Sequence, residues 1–443
     1  MPKSSATEAG NLHTHRVLRQ LYRRTVLKAN REPSRSESSL LPPGFAAYHE
    51  PTNRQVHDRT DHRGDLSTMR IRVEYQDGSA DFEGSEANLV AQWIGPPDAP
   101  GDFEARIRLA LEEPLKFPPL RLVVVPGDRV VIPFDRSLPQ ASTVLGEVSS
   151  ILREVGAESI TAIIDGRVPS SGGFESIEGV EYVVHDPSDR NTLSYLANTA
   201  DGRRIYLNRL VGDADCVIPI GRIGFDETTL YRGPWTSIEP ALGDTEHAPA
   251  SLLSAIKPPG ALWDEAAEVT WLLGSQFHIG GVPGRTGVLH FLAGEAKDVL
   301  ETGARLADES WRMTIEDRAD VVIAGIGGPG RPASPNDFLD GLRTALRSVR
   351  RGGRVAILSR LGLDAVREAV KDPGLPRHDF EKALAWADIY LLSAADGDDV
   401  DQLGFIPLDK PEQAAKLAGS APSFLTISQA DRTRCAVDET DRV

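Results

Sequence analysis

The sequence predicts an α/β protein built from two α/β domains, with mostly parallel sheets and a cleft between the domains. Residues 216–220, Cys-Val-Ile-Pro-Ile, form a short apolar run bounded by turn residues. Such a run is typical of a strand buried on both faces of a parallel sheet. Strand and helix patterns alternate along most of the chain, as in doubly wound sheets. The 443 residues, of which 40% are hydrophobic, are sufficient for two cores.

The first half of the chain contains a series of strand and helix patterns. Alternating apolar and polar residues from Met69 predict a strand that ends in the turn Asp77-Gly78. The apolar residues within 144–155 recur at steps of three and four, which defines one face of a helix between two parallel strands. Further strands are predicted at residues 121–125, 128–133, 160–164, 180–185 and 204–208, and helices at 103–111 and 210–214.

The second half repeats this pattern after a connection that contains prolines. A helix within residues 251–274 is predicted to bridge the two domains. The clearest unit is a strand at 319–325, a glycine-rich loop, a helix at 338–349 and a strand within 350–359. Strands at 277–282 and 288–291 and a helix at 294–306 precede this unit, and an α/β pattern continues to about residue 428.

Composition sets the predicted domain boundaries. Residues 1–67 are polar and punctuated by prolines, and they cannot bury enough apolar surface to offset the entropy of ordering. We therefore predict a disordered N-terminal segment at 1–67, a first α/β domain at 68–258 and a second α/β domain at 259–428. Residues 429–443 are predicted to form a C-terminal tail.

Charge and cysteine content exclude several classes of partner. The 65 acidic and 49 basic residues give a net charge of -16, which repels nucleic acid and anionic membranes. Two cysteines far apart in the sequence exclude a disulfide scaffold and favour the cytoplasm. No run approaches the roughly 18 apolar residues of a membrane span, and the first residues lack the apolar core of a signal peptide. We expect a cytoplasmic protein with neither nucleic acid nor membrane as a partner.

Two side chains that follow predicted strands are candidates for a binding site, because open α/β sheets bind ligands at the carboxyl ends of their strands. Arg136 follows the strand at 128–133, and its guanidinium suits either a substrate carboxylate or a salt bridge to an acid such as Asp135. His185 closes the strand at 180–185, where a histidine either transfers protons or caps the strand.

An acidic pair, Asp226 and Glu227, lies in a turn together with Arg222 and Arg232. Opposite charges in a cleft keep each other ionised, so the pair is a candidate acid/base constellation. The alternative interpretation is a group of solvated loop charges. The sequence leaves both interpretations open.

The glycine-rich loop at residues 325–330, Gly-Ile-Gly-Gly-Pro-Gly, follows a predicted strand. Glycines in this position allow a phosphate to approach backbone amides at the start of a helix, which is how dinucleotides bind. Here Pro329 and Pro332 stiffen the loop, and the helix begins several residues late. The pattern therefore favours a tight turn between strand and helix over a dinucleotide-dependent oxidoreductase.

Several blocks taken together resemble the nickel-dependent lactate racemase family over about residues 69–428. Their order and spacing agree along this length. The blocks are VVIPFDRSLP, HDPSDRNTLSYLANTADGRRIYLNRLVGDADCVIPIG, GPWTSIEPALG and DRADVVIAGIGGPGRPASPNDFLDGLRTALRSVRRGGRVAILS. The resemblance implies a two-domain α/β fold that binds a 2-hydroxy acid in a cleft.

The family is thought to racemise its substrate by moving a hydride, with a nickel pincer derived from a nicotinamide nucleotide. The resemblance then implies an arginine for the substrate carboxylate, histidines for the hydroxyl proton, a lysine linked to the cofactor and a histidine on nickel. Arg136 takes the place of the substrate-binding arginine. At the other positions the chain departs from this pattern.

The departures concern the proton-transferring, cofactor-binding and metal-binding residues. Arg209 stands where the family has the cofactor-linking lysine, and a guanidinium cannot form the thioamide link of an amine. Val168 stands in place of an acid/base histidine, and Gly224-Phe225-Asp226-Glu227 stands where the nickel histidine is expected. The resemblance therefore argues against a covalent nickel-pincer nucleotide, and the sequence identifies no metal ligands.

The leading functional prediction is a lactate-racemase-like protein that binds a small 2-hydroxy acid or a related carboxylate. In this hypothesis Arg136 binds the carboxylate, and His185 or the acids Asp226 and Glu227 move protons in a racemase or epimerase with altered chemistry. The alternative is a catalytically inactive family member with a binding or regulatory role. The sequence predicts neither the substrate's identity nor the oligomeric state.

Overall fold

The structure, a computed structural model, describes residues 67–166, 176–198, 204–226, 230–244, 260–331, 333–371 and 377–438. All of these residues belong to one of the two units into which contacts divide the chain, Gln55–Val443. Except for Ser67, the predicted disordered segment lies outside the described residues. Val168 and Glu227 also lie outside them.

The described residues form strands and helices that alternate along the chain. The strands are β1 (Thr68–Tyr75), β2 (Gly78–Ser85), β3 (Leu89–Trp93), β4 (Arg129–Pro133), β5 (Ser159–Asp165), β6 (Glu181–His185), β7 (Leu193–Asn198), β8 (Arg204–Asn208), β9 (Cys216–Val217), β10 (Ile220–Arg222), β11 (Gly224–Asp226), β12 (Leu230–Arg232), β13 (Phe277–Pro283), β14 (Val288–Glu295), β15 (Arg312–Ile315), β16 (Ala319–Gly325), β17 (Val349–Leu358), β18 (Asp388–Leu392), β19 (Ile406–Leu408), β20 (Phe424–Ile427) and β21 (Arg434–Val437). The helices are α1 (Phe103–Glu112), α2 (Ala141–Val155), α3 (Arg209–Asp213), α4 (Gly260–Leu272), α5 (Ala296–Trp311), α6 (Pro335–Ser348), α7 (Leu363–Lys371), α8 (Arg377–Trp386), α9 (Gly397–Gln402) and α10 (Pro411–Gly419).

The first sheet consists of four parallel strands in the order β6-β5-β4-β9. Helix α2 connects β4 to β5 and buries the apolar face that the sequence predicts. This face shares an apolar cluster with Val130 and Ile160 of the sheet. The helix ends at Gly156, whose φ of +90° suits the left-handed cap and whose amide donates to the carbonyl of Arg153. The buried residues of the face are Val144, Leu145, Val148 and Leu152.

The second sheet consists of six parallel strands in the order β19-β18-β17-β16-β20-β3. The antiparallel hairpin β1–β2 packs on this sheet through Ile71 and Val73, which share an apolar cluster with Val321 and Ile323. Strand β3 is an edge strand of the sheet. The first described residues of the chain therefore complete a sheet whose other strands come from the second half.

A third sheet, in the order β10-β13-β14, begins where the chain leaves the first sheet. The sequence predicts one strand over residues 216–220, but the structure divides it into β9 and β10. The amide of Ile218 donates to Val131 of β4 at 3.0 Å, whereas the carbonyl of Pro219 accepts from Ile279 of β13 at 3.1 Å. Because proline has no N–H to continue the first ladder, the chain changes partner at this residue.

The strand predicted at residues 121–125 is wrong. The chain forms a short 3-10 helix at Leu120–Leu122, followed by a turn in which the Asp128 carboxylate accepts from the amide of Val125 at 2.9 Å. Leu122 is 66% exposed and Val125 is 39% exposed, so the apolar run is not buried as a strand of a parallel sheet would be.

Part of the predicted C-terminal tail is packed. Gln429 and Asp431 are buried, and β21 pairs in parallel with β15. The hydroxyl of Thr344 on α6 donates to the carbonyl of Thr433 at 2.8 Å. These contacts anchor residues after β20 to the second half of the molecule. The predicted domain boundaries at 258 and 428 stay predictions.

The structure confirms the predicted α/β class with mostly parallel sheets. The cleft between two domains stays a prediction. Within the described ranges, no helix combines the length and the apolar character needed to cross a bilayer.

Leu145→Ala on α2 tests the role of this helix in the first core. Leu145 is fully buried, so its truncation leaves a cavity, and we expect a loss of about 2–5 kcal/mol in the free energy of unfolding. Urea denaturation followed by circular dichroism measures this loss. The exposed Glu154→Ala on the same helix is the control and changes stability by less than about 0.5 kcal/mol. Equal stability of the two variants would contradict the assignment of the buried face.

Candidate functional site

A cavity of about 40 Å³ lies at the carboxyl ends of β4 and β5. Parallel strands of open α/β sheets place ligands at this edge, because the loops that follow neighbouring strands meet there. The cavity is closed by the segment that follows β12, which begins with a short 3-10 helix at Pro234–Ser237. The lining residues are Phe134, Asp135, Arg136, Ile164, Asp165, Arg232, Thr236, Ser237 and Ala241.

Asp135 fixes the floor of the cavity through several hydrogen bonds. Its Oδ1 accepts from the amide of Ser137 at 2.8 Å, and its Oδ2 accepts from the amide of Arg222 at 3.3 Å. The guanidinium of Arg232 lies 3.6 Å from Oδ2. Burial alone would raise the pKa of Asp135, but Arg232, Arg222 and the hydrogen bonds from Ser137 outweigh burial and lower the pKa below its usual range. Asp135 is therefore ionised in the folded protein.

Two guanidiniums, those of Arg136 and Arg232, line the same cavity. Burial would lower the pKa of Arg232, but Asp135 and Asp226 are the main groups that outweigh it, so the pKa is raised and Arg232 stays charged. Asp165, at the end of β5, adds a second carboxylate to the lining. The cavity thus combines two cationic groups, which suit an oxyanion, with two acids, so that these four side chains have a formal net charge of zero.

Hydroxyl groups of the segment that closes the cavity hold the backbone in place. The hydroxyl of Ser237 shares its one proton between the carbonyls of Pro234 at 2.6 Å and Pro133 at 3.2 Å. The hydroxyl of Thr236 donates to the carbonyl of Gly233 at 2.8 Å. These bonds tie the segment to the end of β4, which keeps Arg232 on the cavity.

His185 lies at the end of β6, fully buried, and is not among the residues that line the cavity. Its Nδ1 is 3.1 Å from the side-chain nitrogen of Asn208, and its Nε2 is 2.9 Å from the carbonyl of Gly243. The Asn208 side-chain oxygen accepts from the amide of Leu210, so the Asn208 nitrogen donates to Nδ1. Nε2 therefore carries the proton and donates to Gly243. This geometry favours the second interpretation of His185, a residue that fixes the end of the strand.

The other predicted site residues lie at different places. Arg209 is exposed at the first position of α3, after Asn208 caps the helix by accepting from the amide of Leu210. Asp226 ends β11 and acts electrostatically on Arg232. Glu227 lies outside the described residues. Of the predicted site residues that the structure describes, Arg136 alone lines the cavity.

Sequence reasoning did not assign Arg232 or Asp165 to the site. In the sequence, Arg232 stands out only as a neighbour of the acidic pair Asp226 and Glu227. A usable signal existed for Asp165, because it ends a predicted strand next to the strand that precedes Arg136. Polar residues at the ends of adjacent parallel strands meet at one edge of the sheet.

The glycine-rich loop after β16 directs its amides to carboxylates of the protein. The amide of Gly327 donates to Asp431 at 2.8 Å, and that of Gly330 donates to Asp77 at 3.2 Å. Helix α6 begins later, at Pro335, with Ser334 as its cap. These bonds favour the tight-turn interpretation of the loop over a phosphate-binding one. Across the described residues, no group of three or more histidines, cysteines and acids is arranged to hold a metal ion.

The sequence matches the lactate racemase N-terminal domain family over residues 75–256. No curated protein matches the sequence significantly. The fold is similar to that of the lactate racemase apoprotein from Thermoanaerobacterium thermosaccharolyticum, with 15% identity and a TM-score of 0.66 over 83% of this chain and 100% of that chain. It is also similar to a protein from Thermotoga maritima, with 13% identity and a TM-score of 0.58 over 77% of this chain and 99% of that chain. At these identities, the two structures show a common fold.

Asp135→Asn tests the charge balance of the cavity floor. The substitution leaves Arg222 and Arg232 without their buried partner, and we expect a loss of about 3–5 kcal/mol in the free energy of unfolding near neutral pH. The pKa of Asp135 is lower in the folded state than in the unfolded state. Its stabilisation is therefore complete above the unfolded pKa, near about 3.9, and is lost as pH falls through the folded pKa.

Urea denaturation of both proteins between neutral and acid pH measures this difference. The gap between the two unfolding free energies should be constant near neutral pH and should narrow only in the acid range. A gap that is absent at neutral pH, or that widens on acidification, would contradict an ionised Asp135.

Proposed function

We propose that this chain is a lactate-racemase-like cytoplasmic protein that binds a small 2-hydroxy acid or a related carboxylate in the cavity beside β4, and its sequence match and fold support this. The observation that carries the proposal is the pair of guanidiniums, Arg136 and Arg232, on a cavity at the carboxyl ends of parallel strands. A guanidinium binds a carboxylate through two parallel hydrogen bonds, which fixes both the position and the orientation of the ligand.

The size of the cavity limits the ligand. A volume of about 40 Å³ accommodates roughly three water molecules, since each requires about 10–15 Å³ by the same measure. This space suits a carboxylate with one or two further carbon atoms. The apolar part of the lining, Phe134, Ile164 and Ala241, is suited to a short side chain.

A covalent nickel-pincer nucleotide does not fit the residues of this chain. Position 209, which by resemblance is the attachment point, carries an exposed arginine, and a guanidinium cannot supply the amine of the link.

A racemase or epimerase with altered chemistry requires a group that moves protons at the ligand. His185, Asp226 and Glu227 are the groups that the sequence predicts, and Asp165 is the carboxylate that lines the cavity. Both nitrogens of His185 are engaged by the protein, which leaves this ring without a position for a ligand. This observation favours a second candidate function, that of a catalytically inactive member with a binding or regulatory role.

Arg136→Ala tests the binding proposal. Loss of a charged, bidentate contact should weaken the binding of lactate or glycolate by about tenfold to a hundredfold, because a hydrogen bond to a charged group contributes about 1.5–3 kcal/mol. Isothermal titration calorimetry measures the dissociation constants. Arg121→Ala, at an exposed arginine that pairs with Glu112, is the matched control and should leave binding unchanged.

In the same titrations, affinity should fall as the side chain of the 2-hydroxy acid grows, since the cavity is small. Unchanged affinity in Arg136→Ala would remove the basis of the proposal. Equal affinity for lactate and for an aromatic 2-hydroxy acid would show that the ligand binds elsewhere.

The intact mass of the protein purified from its native host shows whether a nickel-pincer nucleotide is attached to the chain. We expect an intact mass equal to that of the unmodified chain and no stoichiometric nickel, because position 209 has no amine to modify. Mass spectrometry and elemental analysis check this. An added nucleotide mass together with nickel would contradict it.

Chiral chromatography of lactate after incubation with the protein decides between the two candidate functions. Loss of enantiomeric purity supports an enzyme, and its retention supports a binding role.

A further inference from the structure

Arg432, in the turn after β20, is a buried guanidinium whose Nε and Nη2 donors are not used. The residue is 4% exposed. Its Nε and Nη2 are buried and have no hydrogen-bond acceptor among the described residues. A buried polar group without a partner loses its hydration without compensation, and the loss is larger for a charged group. The burial of Nε and Nη2 of Arg432 without acceptors is therefore unfavourable for the folded protein.

The two unused atoms form one edge of the guanidinium. Nε and Nη2 are the pair that Arg108 presents to the two oxygens of Glu147, at 2.8 and 2.7 Å. Arg285 presents the same edge to Glu74. This edge is a fork that matches the two oxygens of a carboxylate or a phosphate. Arg432 thus presents an oxyanion-binding edge that donates to no acceptor among the described residues.

The nearby acids are already engaged by other groups. Asp431 accepts from the amide of Gly327 and pairs with Arg331. Asp337 accepts from the amide and hydroxyl of Ser334, both at 2.7 Å, and lies 3.1 Å from Arg331. Both carboxylates also attract Arg432 electrostatically, but neither accepts a hydrogen bond from its Nε or Nη2.

A second buried guanidinium nearby is also incompletely compensated. Arg222 is 4% exposed, and its side chain donates from Nε to the hydroxyl of Ser137 at 3.2 Å. Burial, with the repulsion of Arg232, lowers its pKa although Asp135 and Asp337 oppose this. Burial, then Arg331 and Arg222, lower the pKa of Arg432 well below its usual value, although Asp431 and Asp337 oppose this. The guanidiniums of Arg222, Arg331 and Arg432 lie close enough to repel one another.

We propose that Arg432, Arg222 and Arg331 form a binding site for a small oxyanion, with the anion on the Nε–Nη2 edge of Arg432. A water molecule would satisfy the hydrogen bonds of this edge but would not offset the charge. A carboxylate or phosphate group does both. The site goes beyond the proposed function, because Arg432, Arg222 and Arg331 are not among the lining residues of the cavity beside β4. In this site, Arg222 lies on β10 in the first half of the chain, whereas Arg331 and Arg432 lie in the segments after β16 and β20 in the second half.

Thermal unfolding in the presence of anions tests the site. The probes are inorganic phosphate and acetate, compared with chloride at constant ionic strength and pH. We expect the Tm of the native protein to rise with phosphate or acetate concentration, because a ligand of the folded state alone stabilises it by mass action. In Arg432→Met this dependence should disappear. Without added oxyanion, Arg432→Met should be at least as stable as the native protein, since it removes two buried donors that have no acceptor.

Two further variants, Arg432→Lys and Arg367→Met, provide a conservative substitution and a control. Arg432→Lys retains the charge but not the fork, and it should require about tenfold to a hundredfold more phosphate for the same rise in Tm. Arg367→Met, at an arginine paired with Asp399, is the matched control and should keep the full dependence on phosphate. If Arg432→Met does not fold, the lysine variant provides the result.

The outcomes separate this site from the proposed carboxylate cavity. Arg136→Ala should keep the rise in Tm with phosphate even if it loses binding of 2-hydroxy acids. An unchanged Tm of the native protein in phosphate and acetate, or a full rise in Arg432→Met, would overturn the site. Loss of the phosphate dependence in Arg136→Ala would also overturn it, because the anion would then bind in the cavity.

Discussion

The carboxylate of Asp135 holds together the segments that form the candidate cavity. It accepts from the amides of Ser137 and Arg222 and lies against the guanidinium of Arg232. These groups come from the loop after β4, from β10 and from β12, which are far apart in the sequence. Because a buried carboxylate is stable only when it is paired, the shape of the cavity depends on both arginines staying in place. The site is thus organised by electrostatics on an apolar scaffold.

Much of that scaffold could be predicted from the sequence, because apolar periodicity reports burial directly. Helix α2 and strands β4 and β5 follow their patterns closely, and together they place Arg136 at the correct edge of the sheet. The apolar run at 121–125 could not be resolved in this way, since a partly exposed turn and a buried strand share the same composition. The break at Pro219 depends on a partner in another sheet, which periodicity does not reveal.

The site itself was less predictable, because its members meet through contacts between distant segments. Arg232 reaches the cavity from β12, whose place is set by pairing with β11 and by the closing segment Pro234–Ser237. The role of His185 depends on Asn208 and Gly243, which follow it by 23 and 58 positions. No local pattern carries this information. The resemblance to a family indicated the region, whereas the hydrogen bonds distinguish a binding residue from a structural one.

In the glycine-rich loop after β16, a carboxylate of the protein takes the place that an external anion occupies in other folds. In many strand-loop-helix units the free amides of such a loop receive a phosphate from outside. Here Asp431 meets the amide of Gly327 from within the chain. A tethered carboxylate competes with any dissolved phosphate at a high effective concentration. The Asp431 carboxylate therefore occupies the amide that a phosphate would otherwise bind. This bond anchors the segment that carries Arg432 without a nucleotide.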